Sequence, residues 1–312
     1  MLHKLIINLD NHMPRSPNRL HERISFFKYM SASTARLVLD NRTLRWSSPS
    51  LFNDPFDVPR ELSFGITSVE IVEGLAQRFA ALIEHPPEDT SDLGPKLRLI
   101  VDTVKRGISP ELRSEMIAGI KEMSETHLPT GASMEALRDL WRSWIPQFRI
   151  LCLTESPAHS AMWFHYADQY KGAVLEFNCN DELDSAWLAA QPVIYPTAKP
   201  EIFEADGWAK LIMMPNELAI KTIFHVTTYT KSPDWSYENE WRITSFKRPN
   251  DTELFTDYKF DPIELSSIYL GPLISPVDKN SLIAVATRYP HIRIYEVMIG
   301  MNRTFLFNEI CG

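Results

Sequence analysis

Residues 149–177 read RILCLTESPAHSAMWFHYADQYKGAVLEF, and how this stretch is parsed decides the fold. Residues 150–154 (ILCLT) and 173–177 (AVLEF) are short apolar runs with punctuation on both sides, the pattern of buried strands. Between them the residues predict one short helix. Ser156 is placed to accept from its first free amides, Pro157 fits the first helical position, where a missing N–H costs nothing, and Gly172 offers a left-handed stop. The unit is therefore strand, helix, strand. Its helix gathers Met162, Trp163, His165, Tyr166 and Tyr170 within little more than two turns, with Asp168 following His165. Such a helix either lines a pocket with rings and an imidazole or sits in a core with its histidine hydrogen-bonded to Asp168.

Upstream, residues 1–23 end in the polar segment MPRSPNRLHER, which reads as an arm lying on the surface. Residues 24–30 (ISFFKYM) carry strand-forming side chains. Ser33 can cap a helix through Leu39 that ends at Asn41, and residues 43–47 (TLRWS) form a second strand. The following segment, SPSLFNDPFD, places Asn53 and Asp54 before a proline. That spacing favours a turn closed by the side chains themselves, and its functional counterpart is a loop that aims both groups into a site.

From about residue 67 the pattern becomes helical, with apolar stripes through Ile71, Val72, Leu75, Phe79, Leu82 and Ile83, then Leu112 to Met123 after Ser109-Pro110, then Met134 to Ile145. These read as core faces of a helical insertion spanning about residues 66–145. Downstream of the central unit come residues 193–195 (VIY), a helix around Trp208 to Lys221, and strands at 267–270 and 292–297. Between them lies KSPDWSYENEWRI, a long aromatic turn running into Glu238, Glu240 and Arg242. On a strand these three side chains share one face, opposite Trp241 and Ile243. They form either a solvated ion pair or two mutually repelling carboxylates at a partly closed site.

The fold class that follows is α+β: a mixed, mostly antiparallel sheet in a single domain over residues 24–312, interrupted by the helical insertion. A hydrophobic content of 44% supports a sizeable core, and a net charge of −8 argues against a general binder of nucleic-acid backbones. Cys152, Cys179 and Cys311 show no metal-type or disulfide-framework spacing, so neither a structural zinc nor a stapled secreted fold is indicated. No metal is expected: a hydrolase built on His165, Asp54 and Glu240 would want a ligand pair such as H-x-x-x-H. No apolar run is long enough to span a bilayer, and the first residues lack a signal-like apolar core. The expectation is a cytoplasmic protein with no membrane partner.

FFKY near the start, SLFNDPFD, CLTE followed by MWFHYADQYKGAVLEF, and the late YENEWRI together resemble the bacterial family known as domain of unknown function 2971, over most of residues 24–300. That resemblance implies an association with abortive-infection and phage-defence proteins and specifies no reaction. The order of a cation-tyrosine strand, a helix, a serine strand and a late E-x-E is in turn similar to the ADP-ribosyltransferase superfamily. This second resemblance implies NAD as substrate. Lys28 and Tyr29 would hold its phosphate or ribose, Ser47 or Ser48 would support the nicotinamide site, and Glu238 and Glu240 would form the E-x-E pair, with Glu240 stabilising an oxocarbenium-like ribose. The sequence departs from that pattern in carrying a lysine where an arginine or histidine stands in those enzymes, and in placing His165 and Tyr166 side by side. The expectation is an ADP-ribosyltransferase-like or NAD glycohydrolase-like enzyme with Glu240 and His165 as catalytic groups. Its rival is a non-catalytic nucleotide-sensing module, in which Trp163, Tyr166 and Trp235 stack on the ligand while Asn53, Asp54 and Glu240 orient it, with Arg242 beside them.

Overall fold

Seven residues of strand-forming character, Phe148–Thr154, make the strand on which the sheet is centred, and a computed structural model shows what pairs with it. The structure describes residues 15–60, 67–126, 131–198, 200 and 204–310. In chain order the strands are β1 (Ser25–Met30), β2 (Thr43–Ser47), β3 (Phe148–Thr154), β4 (Ala173–Asn178), β5 (Gln191–Pro192), β6 (Glu240–Phe246), β7 (Phe255–Lys259), β8 (Leu265–Leu270), β9 (Arg293–Ile299) and β10 (Phe305–Ile310). The helices are α1 (Ala32–Asn41), α2 (Ser68–Glu84), α3 (Pro95–Arg106), α4 (Pro110–Thr126), α5 (Gly131–Trp144), α6 (Ser160–Tyr166), α7 (Ala205–Met213), α8 (Asn216–Tyr229) and α9 (Pro276–Ala286). The class is α+β, with α2 to α5 inserted between β2 and β3.

The chain forms two compact units. The first comprises residues 1–47, 148–193 and 235–312, and the second residues 48–147 and 194–234. The first unit holds the sheet, in the order β10-β9-β8-β4-β1-β3-β2-β7, with β6 on β3 and β5 on β6. Its ladders are antiparallel except for parallel β8 and β9. Along β3 the alternation is clean: Leu151 and Leu153 join Phe26, Trp46, Leu175, Phe177 and Ile243 in the larger core, beneath α1 and α9. Cys152 and Thr154 take the other face of the strand. A second, aromatic core forms from Phe27, Tyr29, Val174 and Tyr269 with Met162 and Trp163 of α6.

In the ladder, β3 is in register with β1 at Thr154 and Phe27, and with β2 at Ile150 and Ser47. At Cys152, between these two contacts, the Lys28 ammonium donates to the carbonyl at 2.7 Å. A backbone acceptor that lacks a ladder partner is costly to bury, and the lysine satisfies it. The arm is tied to this unit over its described part: Arg19 forks onto Asp181 at 2.6 and 2.9 Å, and the Leu20 amide donates to Leu188. Residues 1–14 of the arm lie outside the described residues.

Several local expectations are revised. The Ser156 hydroxyl closes a turn onto the Ala158 amide, and α6 begins later, after His159. Residues Asp168, Gln169 and Tyr170, not Gly172, adopt the left-handed backbone that ends it. Gly172 has a different cause: a Cβ there would lie 2.1 Å from the Met30 carbonyl oxygen. The cap of α1 is Ser31, whose hydroxyl accepts from the Thr34 amide, and not Ser33. Glu238 ends a short 3-10 turn and so precedes the strand that Glu240 opens.

In the second unit α2 starts from a reciprocal cap between Thr67 and Glu70, and packs Leu75, Phe79 and Leu82 against Leu93, Leu97, Val101 and Met213. Arg78 pairs with Asp206 of α7, and the Gly94 amide donates to Met213 at 2.7 Å. Helix α8 continues through residues 224–229, past the expected helix end at Lys221.

Candidate functional site

The E-x-E segment is shaped by two backbone events. The Thr154 hydroxyl holds the Glu238 carbonyl at 2.6 Å, and Asn239 takes a left-handed φ of 42°, which reverses the chain between the 3-10 turn and β6. Glu238 and Glu240 are consequently both buried, 3% and 5% exposed, but they have different partners. Glu240 is held by both arms of Arg242, Nε to Oε1 at 2.7 Å and Nη2 to Oε2 at 2.9 Å. Arg242 is itself fully buried. Same-face placement two residues apart on a strand makes this pair; the rest of its setting, opposite Cys152 and Thr154 on β3, makes it an interior pair rather than a solvated one.

Glu238 accepts the Tyr166 hydroxyl at 2.5 Å, which ties the end of α6 to the E-x-E turn. Loss of water around the phenol, followed by the Glu238 charge, pushes the Tyr166 pKa far above its ordinary value, so this hydroxyl remains a donor. The Cys152 thiol is likewise pushed well up, first by burial and then by Glu240, and is not a nucleophile near neutrality.

Beside this cluster stands a row of rings. Tyr237 stacks on His159, with centroids 5.4 Å apart and planes 18° from parallel, and meets His165 at 6.5 Å and Trp235 at 6.0 Å. The Nδ1 atom of His159 is buried without a hydrogen-bond partner. His165 is exposed at the end of α6, with Phe164 and Tyr166 as ring neighbours, which is not the setting of a core histidine. Trp163 is fully buried, donates to the Pro157 carbonyl at 2.8 Å and meets Tyr29 edge-on, so its ring serves packing. Tyr29 donates to the Ser156 carbonyl and accepts from the His159 amide, which fixes the approach to α6. Burial raises the Tyr29 pKa well above its ordinary value.

Thus the first unit brings Tyr166, Glu238, Glu240 and Arg242 together around β3, with His165 beside Tyr166, while Lys28 is engaged by the Cys152 carbonyl. Ser47, at the end of β2, is half-buried and paired in register with Ile150 and Phe255. Ser48 begins the second unit and donates to the Ile145 carbonyl at 2.8 Å. Asn53 and Asp54 also belong to the second unit; Asp54 accepts the Phe56 amide at 2.8 Å, the self-closed turn expected of its sequence. His159 and Tyr237 were not legible as a pair. The one signal each carried was position, His159 just before the helix and Tyr237 within the long aromatic turn.

Among the described residues no group of three or more His, Cys, Asp or Glu side chains is placed to hold a metal ion, and no helix is long and apolar enough to cross a membrane. Residues 162–243 match the family model described as protein of unknown function (DUF2971). The match runs from α6 to the middle of β6 and so contains Tyr166, Glu238, Glu240 and Arg242, which supports the family resemblance over the stretch that builds the site. No curated protein and no solved structure matches the chain.

Proposed function

We propose that the first unit binds a nucleotide, NAD being the ligand to try first, on the ring row of His159, His165, Tyr237 and Trp235 beside the buried Glu238. The observation that carries this reading is Tyr237. It touches three other rings, and the next residue is a carboxylate fixed by Tyr166. Stacked rings supply the flat surface a base needs, and fixed polar groups beside them orient the rest of the ligand. Arg242 already neutralises Glu240, so a recognition module is favoured over one in which Glu240 meets a developing cation.

Cleavage of the nicotinamide glycosidic bond, by transfer or hydrolysis, is the second reading. It is favoured by the proximity of two carboxylates to one phenol, since both Glu238 and Glu240 raise the Tyr166 pKa. Here Glu238 would be the carboxylate on which the chemistry depends. A role in phage defence belongs to this proposal and rests on the family resemblance alone.

One preparation tests both readings. Titration with NAD by calorimetry, followed by assay of the mixture for free nicotinamide, should show saturable binding without release. Tyr237→Ala should weaken binding at least about fivefold, the loss of one stacked ring. His165→Ala should weaken it with stability unchanged within about 0.5 kcal/mol, because the side chain is exposed. Release of nicotinamide that disappears in Glu238→Gln would establish the enzyme instead, and absence of any NAD binding would remove both readings.

A further inference from the structure

A cavity of about 570 Å³ lies elsewhere in the first unit, over the larger core and not among the ring row. Its walls come from β2, β6 and β7 on one side and from the turn at residues 183–189 on the other, with Trp46, Tyr258, Phe260 and Trp187 among the lining rings. A volume of this order is that of a small-molecule site, and apolar walls carrying a few fixed polar groups are its usual make-up.

The polar groups here are specific. Glu264 lines the cavity and is only 6% exposed. One of its oxygens, Oε2, is held at 2.8 Å by the Asp261 amide in a reciprocal turn cap. Loss of water raises its pKa, the Asp261 amide opposes the rise, the Asp261 charge adds to it, and the Trp187 indole and Ser185 hydroxyl give weaker support. Those supports fall short of full hydrogen bonds: the Trp187 N–H is buried, 3% exposed for the residue, with no partner in hydrogen-bond geometry. The Glu264 carboxyl on this wall is an acceptor for whatever enters, while the Trp187 N–H, which has no accessible surface, faces Glu264. Lys259 also lines the cavity and is exposed.

We infer that this cavity is a second binding site, for a planar heteroaromatic ligand of purine size whose edge presents N–H donors to Glu264. A guanine-like edge has them, as adjacent ring and amino N–H groups for one carboxylate. An adenine-like edge offers only its amino group and should bind less well. The inference does not rest on the nucleotide reading of the ring row, because the two sets of lining residues share no member.

Calorimetry of the full chain with guanosine, adenosine and 1-methylguanosine tests it. Guanosine should bind saturably. 1-Methylguanosine, which lacks the ring N–H, should bind on the order of tenfold more weakly, as expected for one lost hydrogen bond to a charged acceptor. Glu264→Gln should reduce the preference for guanosine over adenosine, and Ala189→Trp should block the cavity, with melting curves confirming that each variant is folded. Tyr237→Ala should leave guanosine binding unchanged. No saturable guanosine binding, equal affinity for 1-methylguanosine, or binding that survives Ala189→Trp would each overturn the assignment. Guanosine binding lost in Tyr237→Ala would overturn it too, by placing the ligand on the ring row. The nucleotide reading fails separately, through NAD.

Discussion

Glu240 shows how a motif can carry one meaning in sequence and another in its setting. As part of an E-x-E it resembles a catalytic carboxylate. In the fold its charge is matched by a fully buried guanidinium through two hydrogen bonds. Removing one member of such a pair takes a bidentate partner from a charge that stays buried, so Glu240→Gln should destabilise the protein by on the order of 3 kcal/mol, read as a shift in the urea midpoint at constant slope. The double variant Glu240→Leu with Arg242→Met should recover much of that loss, because apolar residues of similar volume have no charge to leave stranded. A Glu240→Gln protein as stable as the parent would show that Arg242 is satisfied without it. The side-chain alternation that puts both residues on one face was readable from the sequence. Their burial was not, because it depends on β3 and β5 flanking β6, pairings between strands far apart in the chain.

The central strand-helix-strand unit was legible in outline because its apolar runs and its punctuation agree. The limits of α6 were not, since three consecutive left-handed residues, Asp168 to Tyr170, end it where no glycine stands. Gly172 was noticed for the wrong reason. Its requirement is space beside the Met30 carbonyl, so Gly172→Ala should lower the melting temperature markedly, whereas Gly119→Ala in α4, where a Cβ meets nothing within 4 Å, should stabilise by about 0.5–1 kcal/mol. Equal melting temperatures for the two variants would refute the steric argument. The arm makes a pH prediction. The hydrogen bonds from Arg19 and from the Ser16 amide hold the Asp181 pKa down at about 2, below its ordinary 3.8. A depressed carboxylate pKa gives stability that is present above the ordinary value and lost as pH falls through the lowered one. Attachment of residues 15–23 should therefore persist to about pH 4 and fail towards pH 2. Hydrogen exchange at the Leu20 amide measures this, and Asp181→Asn should release the arm at neutral pH.

Taken whole, the chain builds each unit from separated pieces. The second unit joins residues 48–147 to 194–234, and its α2 depends on α7 through Arg78 and Asp206 and through the close approach at Gly74, where a Cβ would lie 3.4 Å from the Ala205 carbonyl oxygen. A fragment of residues 48–147 should accordingly show helical circular dichroism without a cooperative melt, while the same fragment joined by a flexible linker to residues 194–234 should melt cooperatively. A cooperative transition in the shorter fragment would count against this dependence. The helical insertion itself was plain from its apolar stripes, but its completion by α7 and α8 was not, because that partnership crosses the central unit in sequence. The sheet has the same property, and synthesis makes it matter. Strand β1 ends at Met30, yet its full-length partner β4 begins only at Ala173. At about 5–20 residues per second a ribosome needs roughly 7–30 s to make the intervening chain. Throughout that interval the nascent β1 carries Phe26, Phe27 and Tyr29 with an open edge, which makes the growing polypeptide a client for holding chaperones long before the sheet can close around them.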